Sequence, residues 1–71
     1  MPLGGLIEPL TGRELQVLAM LAAGTPSHAL ARELFISLDT VKEHVRHALG
    51  KLGAANRTEA VARTRDLGLL P

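Results

Sequence analysis

The sequence predicts an all-α fold of four short helices, and three observations carry that prediction. Apolar residues recur at helical spacing in four segments, with no strand-like alternation and no internal repeat along the 71 residues. Thr11, Thr25, Ser37 and Asn56 stand where helix caps are needed, and Gly24, Gly53 and Gly68 stand where helices should stop. The third segment has two unlike faces. Projected at about 100° per residue, Leu38, Val41, Val45, Ala48, Leu49 and Leu52 form an apolar stripe. Asp39, Glu43, Arg46 and Gly50 lie opposite, with Lys42 at the flank.

Residues 1–9 contain two prolines and two glycines without periodicity and are expected to form a flexible tail or linker stub, leaving 10–71 as the domain. The first helix is expected from Thr11, whose hydroxyl caps while Glu14 reaches back to complete a capping box. Leu15, Leu18, Ala19 and Ala22 are its expected inward stripe, widened by Val17 and Leu21, and Gly24 ends it in a left-handed conformation. The second helix is expected to have Thr25 as N-cap and Pro26 at the first helical position, where a missing N–H is harmless, with Ser27 as an alternative cap. It runs to about Leu34, and a tight break follows at Phe35-Ile36-Ser37. Ser37 caps the third helix, expected over about 38–52 and stopped by Gly53. The fourth starts at Asn56, with Glu59 three residues on, and ends at Gly68, where Leu69 is placed for a hydrophobic contact.

Composition narrows the function classes. One small domain burying only about 60% of its unfolded surface has modest stability and little room for a closed active site. Phe35 is the one aromatic residue, so Leu, Val and Ala must build the core. The absence of Cys excludes disulfides and thiolate metal sites and fits a reducing cytoplasm. No apolar run approaches the roughly 20 residues of a membrane span, and the first ten residues do not resemble a signal peptide. No nucleophile–base pair, phosphate loop or acid dyad is visible, so no enzyme activity and no cofactor are expected. His44 and His47 have metal-compatible spacing, but only Glu43 is near as a third ligand, so no metal is expected; His44, bordering the stripe, reads as a packed residue.

Net charge is only +1, yet it is unevenly spread. Residues 1–41 set Arg13 and Arg32 against Glu8, Glu14, Glu33 and Asp39, a balance of −2. Residues 42–57 set Lys42, Arg46, Lys51 and Arg57 against Glu43, a balance of +3. Positive charge thus gathers in and after the two-faced helix, as on a DNA-binding face. A helix with one side for a core and another for long hydrogen-bonding side chains suits the reading of base edges in a major groove. Arg46 can fork onto guanine O6 and N7, and Lys42, one turn away, can donate to the same acceptors or to a phosphate. Glu43 can accept from cytosine N4 or pair with His47 at i,i+4. Asp39 suits the positive end of the helix dipole.

These residues resemble the LuxR-type DNA-binding domain, the helix-turn-helix family that includes GerE. The resemblance runs from Leu10 to Leu70. It rests on Leu10-Thr11-x-Arg13-Glu14, Val17-Leu18, Ala22-Ala23-Gly24 and Leu30-Ala31-x-x-Leu34-x-Ile36-Ser37. Thr40-Val41-Lys42-x-His44-Val45, Lys51-Leu52-Gly53, Asn56-Arg57-Thr58-Glu59-Ala60-Val61 and Leu67-Gly68-Leu69 follow in order. It implies a four-helix domain of a transcription regulator that binds double-stranded DNA, with Lys42, Glu43 and Arg46 at base edges. Ser37, Thr40, Lys51 and Arg57 become phosphate contacts, with surface salt bridging the alternative for the last two. A homodimer on DNA through helix four would use Val61, Thr64 and Arg65, although a core role competes at Val61. RNA polymerase is a further candidate partner.

The ending through Leu67-Gly68-Leu69-Leu70-Pro71 is similar to that of large ATP-binding LuxR-type regulators, which favours an excised C-terminal domain over a stand-alone regulator. Four departures from the family's habit stand out: Ser27-His28-Ala29 where Asn-Lys-Glu often opens helix two, Gly50 where a basic residue is favoured, Thr64 where Ala is frequent, and Phe35 at a turn that other helix-turn-helix families fill with Gly. Fewer phosphate contacts imply weaker nonspecific binding. Two rival readings are a sigma-factor promoter-binding region, which the Thr40–Val45 block and the Asn56-Arg57 helix oppose, and a helical protein-interaction module without DNA binding.

Overall fold

The computed structural model describes residues 9–70, so the tail expected at 1–9 lies, but for Pro9, outside the described residues. Four helices follow in order: α1 (Gly12–Ala22), α2 (Ser27–Leu34), α3 (Leu38–Leu52) and α4 (Arg57–Asp66). Among the described residues there is no strand. The capping box at α1 is present: the Glu14 N–H donates to Thr11 Oγ1 at 3.1 Å, and the Thr11 N–H donates to Glu14 Oε1 at 2.9 Å. Ser37 Oγ accepts from the Thr40 N–H at 3.1 Å to start α3, and Asn56 Oδ1 accepts from the Glu59 N–H at 2.9 Å to start α4. Glu59 reaches one residue further back than a capping box requires and accepts from the Ala55 N–H.

The start of α2 departs from expectation. Pro26, extended at φ −72° and ψ 157°, is the N-cap rather than the first helical residue, and no side chain caps it. Its carbonyl accepts from the Ala29 and Leu30 N–H groups. Thr25, the expected cap, instead closes α1: its N–H donates to the Met20 carbonyl while that of Gly24, at φ 87°, donates to Leu21. At the other end of α2 the same closure is built on Phe35, at φ 56°, with the Ile36 N–H on the Ala31 carbonyl. Phe35 is the non-glycine residue at positive φ among those described.

α3 lies at the centre and packs on each of the other three helices. Val17, Leu30, Val41 and Val45 form one buried cluster joining α1 and α2 to α3. Leu18, Ala48, Leu52 and Ala60 form a second, joining α1 and α4 to it, and Leu21 and Leu49 border both. Two expectations shift. The inward face of α1 is Glu14, Val17, Leu18 and Leu21, while Ala19 is exposed and Leu15 and Ala22 are only half-buried. Residues 17–23 are all apolar, so periodicity alone does not choose a face there. Leu38 is 41% exposed, because the core contacts of α3 begin one turn later, at Val41.

Candidate nucleic-acid interface

Burial of Val41, Val45, Ala48 and Leu52 turns the opposite side of α3 outward, where Asp39, Lys42, Glu43, Arg46, His47 and Gly50 are exposed. The three candidate base readers therefore share one surface. Two of them touch: Arg46 Nη2 donates to Glu43 Oε1 at 2.8 Å, with side chains 73% and 50% exposed. The Glu43 partner is thus Arg46 at i,i+3 and not His47. His44 is half-buried at the edge of the stripe.

At the start of this face Ser37 and Thr40 place their hydroxyl oxygens 2.9 Å apart, in the first turn of α3 with Asp39. Backbone N–H groups and the positive end of the helix dipole make this end attractive to anions. Arg57 is exposed at the start of α4, and its Nη2 donates to Ser27 Oγ, 2.6 Å away, on the first residue of α2. The remaining phosphate candidate is placed differently. Lys51 Nζ donates to Glu14 Oε1 at 2.8 Å, and the two side chains are only 18% and 6% exposed. Lys51 is thus held inside the fold by Glu14 and does not stand free for a phosphate, against the expectation.

Of the expected dimer contacts, Thr64 is corrected. It is fully buried, and its hydroxyl donates to the Ala60 carbonyl at 2.6 Å, because Ala60 and Thr64 form the side of α4 that faces the core. Val61 is half-buried and Arg65 exposed; both line a shallow groove of about 460 Å³ between α4 and the α1–α2 turn, with Leu21, Pro26 and Ala62. Sequence reasoning missed the pairs Glu14–Lys51 and Ser27–Arg57, which lie 37 and 30 residues apart. Only the capping motif hinted that Glu14 was held. Among the described residues, no three His, Cys, Asp or Glu side chains are grouped to hold a metal, and no helix is long and apolar enough to cross a membrane.

Comparison with known proteins bears on this face. Residues 8–64 match the family described as GerE: bacterial regulatory proteins, luxR family. The uncharacterized transcriptional regulatory protein YxjL of Bacillus subtilis (strain 168) is 48% identical over 56 residues, covering 79% of the chain and 26% of that protein. The HTH-type transcriptional regulator MalT of Serratia proteamaculans (strain 568) is 42% identical over 59 residues, 83% of the chain but 6% of MalT. The chain therefore spans about a quarter or less of these relatives. The structure of the transcription factor GerE superposes with a TM-score of 0.83 at 32% identity, covering 87% of the chain and 92% of GerE.

Proposed function

Because the chain belongs to the luxR family of bacterial regulatory proteins, a family of DNA-binding transcription regulators and not of enzymes, we propose that α3 is its recognition helix and lies in the major groove of double-stranded DNA. One observation supports this most: Lys42, Glu43 and Arg46 stand together on the exposed face of a helix whose other face is the core. In this reading Lys42 and Arg46 donate to base edges, with Glu43 between them. Ser37, Thr40 and Arg57 contact phosphates and set the register of the helix in the groove. Residues 10–71 act as the DNA-binding unit of a cytoplasmic regulator. RNA polymerase is the further partner proposed for such a regulator.

Two copies pair on DNA over two half-sites, through Val61 and Arg65 on the outer side of α4. So small a seam falls below the roughly 1,000 Å² of a stable interface, so the free domain is a monomer. Duplexes selected from a random pool provide the test. Arg46→Ala should weaken the selected site by about 1–3 kcal/mol and relax preference at one base position per half-site. A uniform loss over all sequences with a reduced salt slope would assign Arg46 to phosphate and refute the base-reading role. Sedimentation at micromolar concentration tests the oligomeric state, and a tight dimer without DNA would overturn that part.

A further inference from the structure

We propose that Glu43 is a positioning residue for Arg46, holding its guanidinium on one bearing so that Arg46 reads a single base position, and that Glu43 does not itself read a base. The inference rests on α3 being the recognition helix. Its starting point is the 2.8 Å contact from Arg46 Nη2 to Glu43 Oε1, on a face where both side chains are otherwise solvated. Arg46 makes no other ion pair among the described residues.

The chemistry of the guanidinium allows both partners at once. It carries five N–H donors in a fixed plane, and one of them is committed to Glu43. The hydrogen on Nε, the two on Nη1 and the second on Nη2 remain, and one each from Nη1 and Nη2 can form the fork that matches guanine O6 and N7. A carboxylate beside the fork biases the guanidinium towards the rotamers that keep the contact, so less ordering remains to be done when the base is met. In water an exposed pair of this kind is weak. On a groove floor with little solvent the same contact strengthens, because the local dielectric falls. Glu43 also brings negative charge close to the phosphates, which opposes binding to every duplex equally.

The two effects give the Glu43 variants an unusual signature: general affinity rises while selectivity falls. A merely solvated Glu43 would give the first without the second. A Glu43 that accepted from cytosine N4 would lose preference at a base position of its own.

Selection from a randomised duplex pool with the wild-type domain, Arg46→Ala, Glu43→Ala and Glu43→Gln separates these cases, with random-duplex affinity measured in parallel. Glu43→Ala should reduce guanine enrichment about threefold or more at the position that Arg46→Ala abolishes, out of the roughly 5- to 150-fold that a bidentate contact supplies. Glu43→Gln, whose amide oxygen still accepts from Arg46, should retain more enrichment than Glu43→Ala. Both should bind random duplex more tightly than wild type. Unchanged enrichment in Glu43→Ala, or a loss at a different position from that of Arg46→Ala, would overturn the proposal while leaving α3 as the reading helix. A wild-type domain that enriches no sequence would overturn that underlying reading as well.

Discussion

Lys51 Nζ lies 2.8 Å from Glu14 Oε1, tying the last turn of α3 to the first turn of α1 across 37 residues of sequence. The same oxygen accepts from the Thr11 N–H, so one carboxylate closes a helix cap and anchors the far end of α3. Burial pushes the Glu14 carboxyl up, but the hydrogen bonds from Lys51 and Thr11 and the Lys51 charge outweigh it and hold the group below its ordinary value. Among the described residues no buried side-chain polar atom lacks a partner, and this pair is why two charged groups can border the core.

Lys51→Met should therefore act on stability and not on DNA. Losing one member of a fully buried pair costs roughly 3–5 kcal/mol; Lys51 retains some solvent and Glu14 keeps the Thr11 N–H, so about 2–3 kcal/mol is expected. Denaturant titration reads that loss. The salt slope of DNA binding, measured where the variant is folded, should equal that of wild type. A slope reduced by about 1 would return Lys51 to the phosphate contacts.

The depressed Glu14 value also fixes a pH dependence. The unfolded chain takes up this proton at a higher pH than the folded one, so the contribution of Glu14 is complete above the ordinary carboxylate range. It is lost as pH falls through the lower, folded value. Melting curves from about pH 6 to about pH 3 should show a steeper acid limb for wild type than for Glu14→Gln, whatever the offset at neutral pH. Parallel limbs would show that Glu14 does not carry the effect.

Thr64, placed in the core by the structure, should be insensitive as a dimer contact. Thr64→Val keeps the shape and removes a hydroxyl bond to a carbonyl that the helix already satisfies, so the change should stay within about 1 kcal/mol. Assembly on DNA should be unaffected, whereas Arg65→Glu should weaken it. Native electrophoresis of the bound complexes checks both, and a Thr64→Val domain that is stable yet fails to assemble would contradict the core placement.

The difference between Thr64 and Arg65 shows where legibility ended. Helix bounds of α3 follow from local signals, Ser37 ahead of the stripe and Gly53 behind it, and these suffice because caps act over three or four residues. The exposed outer face of α3 follows from the same stripe. α4 has no such stripe: its residues are mostly polar or small on every side, so only contact with α1 and α3 decides that Ala60 and Thr64 turn inward. The partners of Lys51 and Arg57 were out of reach for a related reason. Each is joined to a residue at least 30 positions away, and periodicity carries no information about which surfaces meet.

Phe35 holds a backbone conformation that suits glycine, at φ 56°, and its ring is 94% exposed. A side chain in this region costs roughly 1–2 kcal/mol, while glycine loses about 0.5–1 kcal/mol through its freer unfolded state. Phe35→Gly should thus stabilise the domain by about 0.5–1 kcal/mol. Chemical denaturation reads the sign, and a destabilised variant would mean that the ring packs on the turn after all.

Gly50 presents the opposite case, a glycine in ordinary helical conformation within α3. A Cβ built there meets nothing within 4 Å, and the residue is exposed, so added bulk finds open space. Gly50→Ala removes unfolded-state freedom at no steric cost and should raise stability by several tenths to about 1 kcal/mol. Its place on the outward side of α3, one turn beyond Arg46, adds a second readout. If the late turns of the helix leave the groove, affinity for a selected duplex should be unchanged while the melting temperature rises. An affinity loss with a stability gain would mean that DNA backbone approaches Gly50 closely. A fall in stability would contradict the open surroundings of its Cβ.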